Sequence, residues 1–290
     1  MEAFINEESL CNQYSSIEEF LEKSEPLFRC LNYLLKNKKG KVNILKHSDL
    51  YEKEITNGMK FRELKTLPYN DKLTKMKSIL LAITDNPPYW DWQYDEMVQD
   101  FNENYKFNDT DVTGTSIAEA AERKAILMNF FNEIYNDKIL SVKKGKEEKN
   151  VESSYTYYYF LKVLLKRKII NADEFVQIAY QNTRLDFSQF EEQYGFADFE
   201  KEEIQECIET FERFNKHLVW GDIYQDRALC YKSYKPNNKE NDWFSETKYR
   251  DFSIDKFRCG KNPKRCFGYK KDGKFYVLRM TRTHDVSDNG

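Results

Sequence analysis

The sequence predicts an α+β protein that is mainly helical, with a winged-helix-like segment in its first part and a small β-rich C-terminal module. Three observations carry that expectation. Through most of residues 1–231, apolar side chains recur at helical spacing behind capping residues. From Lys232 onward, turn-rich and alternating sequence replaces those faces. The run Lys256 to Arg282 holds ten cations against one acid, Asp272, a net +9 over 27 residues in a chain whose net charge is −3. The expected domains are therefore a helical region, 1–231, and a basic module, 232–290.

Ser16 is placed to cap a helix starting at Ile17, with Glu18 and Glu19 complementing its positive end. Pro26 interrupts the apolar face, so two short helices or one kinked helix should precede the Lys36 to Lys41 turn. A further helix is expected from about Asp71 to Ile83, with Leu73, Met76, Leu80 and Ile83 on one side. Pro87 and Pro88 end it, and Tyr89, Trp90, Trp92 and Tyr94 follow as an aromatic cluster. Such a cluster either stacks bases or plugs a core.

Ser116 and Glu119 match the S-x-x-E capping box, which predicts a helix carrying Ile117, Ala120, Ala121, Leu127, Phe131 and Ile134 to about Asn136. Ile139 to Val142 reads as a strand, Lys143 to Lys149 as a charged loop, and Tyr155 to Phe160 as a second β-prone run. Helix, strand, basic hairpin and strand is the local order of a winged helix, and also of helical domains bearing a surface hairpin. The single Gly114 at this helix start, without G-x-x-x-x-G-K-[ST], gives no nucleotide-binding P-loop.

Residues from Leu161 to about Tyr180 are expected to be helical, with a break at Asn171-Ala-Asp173. Between Glu191 and Glu212, nine acids face only Lys201, and Ile204, Cys207, Ile208, Phe211 and Leu218 keep helical spacing. That pattern is an acidic amphipathic helix. It offers the basic segment an internal partner, so the two can dock on each other. In the C-terminal module, Arg265 to Tyr269 and Lys274 to Met280 read as a strand pair joined through Asp272-Gly273, which supplies the positive backbone angles of a tight hairpin turn.

Hydrophobic content of 40% with 16% aromatic residues argues for a folded core, and 33% charged residues argue for a water-facing surface. No apolar run is long enough to span a membrane and Met1-Glu-Ala-Phe does not open a signal peptide, so no membrane partner and a cytoplasmic location are expected. Six scattered cysteines do not make a disulfide scaffold. Cys259, Cys266 and His284 lack a fourth ligand of suitable spacing for zinc, and neither a metal nor another cofactor is expected.

Charge segregation points to a polyanion, RNA or DNA. Arg258, Lys264, Arg265, Tyr269, Lys270 and Lys271 are the expected nucleic-acid contacts. Metal-free RNA cleavage would use Arg279 and Arg282 against a phosphate, with His284 moving a proton. Asp222 with Glu246-Thr247-Lys248 has the residue types of a magnesium-dependent alternative. The segments Arg265-Cys-Phe-Gly-Tyr269, Phe275-Tyr-Val-Leu-Arg279 and Thr283-His284, with the opening Phe4-Ile-Asn-Glu-Glu-Ser-Leu10, resemble uncharacterised bacterial defence- or toxin-type proteins. The hairpin is also similar to the sheet of RelE-type RNA-cleaving toxins, although the long helical region before it has no counterpart there. These resemblances imply a nucleic-acid-binding protein of a defence-like or toxin-like system, or a nuclease effector. The other reading is a noncatalytic interaction subunit, whose partner protein would be encoded nearby.

Overall fold

The computed structural model describes residues 1–67, 74, 76–79, 82, 89–92, 104–236, 242–261 and 263–283. They form two compact units, Met1–Lys166 and Arg167–Gly290. The expected boundary at Lys232 thus falls within the second unit.

In the first unit, β1 (Glu2–Asn6) leads through α1 (Ile17–Asn37) to β2 (Asn43–Lys46). The Ser16 hydroxyl accepts from the Glu19 amide at 3.2 Å, and α1 continues as one helix past Pro26. β3 (Glu54–Thr56) and β4 (Met59–Lys60) make a small separate hairpin. Then come β5 (Tyr105–Phe107), β6 (Thr110–Asp111), α2 (Ser116–Glu122), β7 (Ile126–Asn129), β8 (Lys138–Lys144), β9 (Glu147–Ser154) and α3 (Tyr157–Lys166). Seven strands form one sheet in the order β2-β1-β7-β9-β8-β5-β6. The first four are parallel and the remainder antiparallel. Phe4, Leu45, Leu127, Leu140 and Val151 share a core with Ile117, Ala120 and Ala121 of α2.

This sheet overturns the mainly helical expectation; helix makes up only 37% of the structure. The long helix predicted from Ser116 to Asn136 stops at Glu122, and Lys124 takes a positive φ of 52°. Residues 126–129, all buried, then run as a central parallel strand. A strand covered on both faces has no polar alternation, so its apolar run extends the helical pattern before it. The winged-helix order fails with it. α2 is seven residues long with five of them buried, and β9 lies inside the sheet between β7 and β8. The capping box is absent too: the Ser116 amide donates to the Glu7 carboxylate at 2.7 Å, and Glu119 receives Arg123 instead.

Lys143 to Lys149 is a hairpin, turning at Gly145 with φ 59°. Tyr155 to Phe160 is not a strand, because the Thr156 side chain accepts from the Tyr159 amide and starts α3. Trp90 joins the core, as the plugging reading of its cluster expects. In the expected helix from Asp71, Met76 and Ile79 are helical and buried, whereas Leu73, Leu80 and Ile83 lie outside the described residues. Pro87, Pro88 and Tyr94 lie outside them as well.

The second unit opens with α4 (Ala172–Ala179), capped by Asn171, followed by β10 (Leu185–Asp186), α5 (Lys201–Lys216) and α6 (Trp220–Gln225). β11 (Lys232–Ser233), β12 (Ile254–Arg258), β13 (Arg265–Lys271) and β14 (Lys274–Thr281) complete it. The sheet order is β10-β14-β13-β12-β11. The acidic stretch does form an amphipathic helix: α5 buries Cys207, Ile208, Phe211 and Phe214, and its phenylalanine rings meet Phe257 and Phe275 of the sheet. Leu218 is not on that face; it follows the helix and is 84% exposed. The other core of this unit gathers Phe244, Tyr249, Ile254, Phe267 and Leu278.

The β13–β14 hairpin turns as expected, with φ of 50° at Asp272 and 76° at Gly273. Its register shifts between Phe267 and Gly268, where a Cβ on Gly268 would lie 2.0 Å from the Tyr276 carbonyl oxygen. Glycine is needed there for close backbone approach. No helix among the described residues is long and apolar enough to cross a membrane.

Candidate nucleic-acid interface

The basic segment occupies β12, β13, β14 and their connections, so strand alternation sends its cations to different environments. Arg279 is enclosed. Its Nε donates to Glu191 Oε2 at 2.9 Å, its Nη1 donates to the Trp243 carbonyl, and its guanidinium lies 4.2 Å from the Tyr194 ring centroid and 4.9 Å from that of Phe244. Arg282 pairs with Glu203 at 2.9 Å. Lys264, with a buried side chain, reaches Glu203 at 3.4 Å and Glu206 at 3.3 Å, and Lys261 reaches Glu206 at 2.8 Å.

The acidic stretch therefore neutralises four of the ten cations. The Glu200 amide, then Arg282 and Lys264, holds the Glu203 carboxyl below its ordinary range; Lys261 does the same for Glu206. His284, the third member of the expected catalytic set, lies outside the described residues.

Arg258 and Arg265 are directly opposite on β12 and β13. Like charges so placed repel. Burial and then the Arg258 charge lower the Arg265 pKa, while Arg265 Nη1 donates to the Pro263 and Lys264 carbonyls. Arg258 Nε is buried and has no hydrogen-bond partner among the described residues. Tyr269 is stacked on Tyr276 at 5.2 Å and meets Phe252 at 4.7 Å, so its ring has neighbours of its own and burial raises its phenol pKa.

Lys270 and Lys271 differ from these. They flank the hairpin turn at the far end of the sheet. Lys270 Nζ lies 4.3 Å from the Trp220 centroid and 3.1 Å from Tyr224 Oη. Trp220 is fixed by its indole N–H, which donates to the Gly273 carbonyl, and the Arg184 guanidinium sits 6.0 Å from its ring. Lys271 is exposed, with no partner among the described residues, and it pairs across the turn with Lys274, which reaches Asp186 at 3.5 Å. Leu218, Val219 and Tyr224 are exposed beside them.

Sequence reading finds the two lysines but not Trp220, Tyr224 or Arg184, which belong to α6 and the turn before β10. The isolated sequence Val219-Trp-Gly221 carries little signal, and only the fold brings it to the hairpin. The described part of the chain holds no group of three or more His, Cys, Asp or Glu side chains arranged for a metal ion. Comparison with protein-family models, curated proteins and solved structures found no match.

Proposed function

We propose that the chain binds RNA or DNA through the hairpin end of its C-terminal sheet, within a bacterial defence-like or toxin-like system. The supporting observation is the Lys270–Trp220–Tyr224 cluster with exposed Lys271 beside it. Cations interleaved with aromatic faces suit a single strand, whose phosphates take the charge while its bases stack. The reading is of binding, not cleavage, because Arg279 is enclosed by Glu191 and aromatic rings.

The test is oligonucleotide binding across a salt series. Contacts from Lys270, Lys271 and Arg184, joined by Lys274 when it exchanges Asp186 for phosphate, give a single-strand log–log slope of roughly −2 to −3, against about −7 if ten cations took part. Lys270→Gln with Lys271→Gln should flatten the slope by about 1.4. Unchanged binding in that folded variant, or a wild-type slope near −7, would reject the assignment. The second reading, a protein-interaction subunit, draws on the exposure of Leu218 and Val219 beside Trp220. A mainly apolar interface would respond much less to salt.

A further inference from the structure

β11, β12 and β13 present four cations on one face of the C-terminal sheet. Lys232 pairs directly with Lys256 across β11 and β12, and Arg258 pairs directly with Arg265 across β12 and β13. Residues opposite each other in a ladder share a face, as do residues two apart in a strand, so all four side chains leave the sheet on the same side. Like charges placed opposite each other destabilise a sheet. Here two such pairs stand in successive positions on that face, and the fold carries their repulsion.

Two nearby carboxylates are committed elsewhere. Asp255 of β12 lies on the opposite face, where it accepts from Tyr231 Oη at 2.7 Å. Glu191 is held by Arg279, which shares this face through its pairing with Phe267. Lys256 and Arg265 are buried, and Arg265 Nη1 donates to the Pro263 and Lys264 carbonyls, which fixes its guanidinium beside the strand connection.

Arg258 and Lys232 are different. Both are half-buried, and neither side chain has an ion pair or a hydrogen bond among the described residues. Arg258 Nε is buried without a partner, while its two Nη nitrogens, equally without partners, are not buried, so the open end of the guanidinium reaches solvent. A guanidinium presents its donors as a planar fork that matches a pair of phosphate oxygens. A buried donor left without a partner calls for an explanation.

We propose that this face is a phosphomonoester site, in which the Arg258 fork donates to two phosphate oxygens, Lys232 on the diagonal reaches a third, and the buried Lys256 and Arg265 charges favour a dianion. A monoester carries about −1.5 to −2 at neutral pH, which suits clustered cations better than the single charge of a diester. The group is the terminal phosphate of a nucleic-acid strand or that of a small phosphorylated molecule. Arg265 begins β13 and Lys271 ends it, so the site stands about 20 Å along the strand from the hairpin turn and does not rest on the binding proposed there.

The test is calorimetry and thermal unfolding of the full chain with inorganic phosphate, against chloride at matched ionic strength. Phosphate should bind and raise the melting temperature, and Arg258→Gln should weaken that binding about tenfold or more. Without phosphate the variant should melt at or above the wild-type temperature, since one like-charge pair is gone. Phosphate excluded from protein surfaces stabilises folded chains in general, so equal stabilisation of wild type and folded Arg258→Gln overturns the site, as does no binding at millimolar phosphate. If Arg258→Gln does not fold, Arg258→Lys keeps the charge and loses the fork: weaker phosphate binding by it supports the site, and unchanged binding overturns it. Oligonucleotides of one sequence with and without terminal phosphates then separate the two sources. A preference of about tenfold for the phosphorylated strand, lost in Arg258→Gln and kept when Lys270→Gln and Lys271→Gln are combined, assigns the strand end; no preference beside retained phosphate binding assigns the small molecule.

Discussion

Replacing Glu203 and Glu206 together with glutamine should strengthen polyanion binding, although neither residue belongs to the proposed interface. Glu203 holds Arg282 and Lys264, while Glu206 holds Lys261 and Lys264. Glutamine keeps the shape, and at position 203 its carbonyl oxygen can still accept from the Glu200 amide that starts α5. What it removes is charge. Lys261 and Arg282 have substantially exposed side chains and would become available, whereas the Lys264 side chain is buried and would not. Two added phosphate contacts steepen a single-strand salt slope by about 1.4. Anisotropy of a labelled oligonucleotide between about 50 and 200 mM salt reads the change directly. An unchanged slope in a folded double variant would refute the reasoning that these carboxylates compete with phosphate for the same cations.

Arg279→Ala should destabilise the second unit by about 3–5 kcal/mol, because it strands Glu191 and removes a guanidinium packed among aromatic rings; a loss below about 1 kcal/mol in urea unfolding would contradict the enclosed geometry. The Asp226 side chain is largely covered, which opposes ionisation, but Arg213, His217 and the Ala228 amide outweigh that and hold its pKa down to about 2. Its folded pKa is below its unfolded value, so its contribution is present above about pH 4 and fades as pH falls toward 2. Asp226→Asn should therefore be roughly 1–2 kcal/mol less stable at pH 7, with the gap closing over that window; a gap independent of pH would count against the ion pairs. Cys11 is exposed and Cys230 half-buried, while Cys30, Cys207, Cys259 and Cys266 are buried. A thiol reagent should label the first two rapidly in the native protein and the other four only on unfolding; fast labelling of Cys259 would show that its strand end opens.

The parts legible in the sequence were those governed by local chemistry. Ser16 capped its helix, Asn171 started another, and Asp272-Gly273 turned the terminal hairpin. The parts missed were governed by distant partners. Ser116 looks like half of a capping box until Glu7, more than a hundred residues away, takes its amide. Ile126 to Asn129 looks like the continuation of a helix because a central parallel strand is apolar on both faces. For the candidate site the limit was similar. Lys270 and Lys271 were visible as charges, but Trp220 and Arg184 reach them only through tertiary structure. Arg279 and Arg282 were equally visible as charges, and nothing local distinguishes an arginine held by Glu191 from one facing solvent.

That distinction bears on how such a protein would work. Four of the ten cations of the basic segment are paired back onto the acidic stretch, so under the proposed binding the hairpin end, and not the whole basic segment, would face the polyanion. Three or four phosphate contacts fall short of the six to ten that give nonspecific binders their usual affinity, placing a lone chain near or weaker than roughly 10⁻⁴ M at physiological salt. A single hairpin would then be mostly unoccupied on nucleic acid in dilute solution. Stable occupancy requires a second contact made at the same time, either from another copy of the chain or from a partner bearing its own nucleic-acid site, because linking two weak sites raises the effective concentration for the second. The exposed Leu218 and Val219 directly precede Trp220 of the hairpin cluster and offer apolar surface to such a partner. If the proposed binding holds, the binding and interaction readings would be successive demands on one face, with phosphate contact holding the ligand and apolar contact adding avidity.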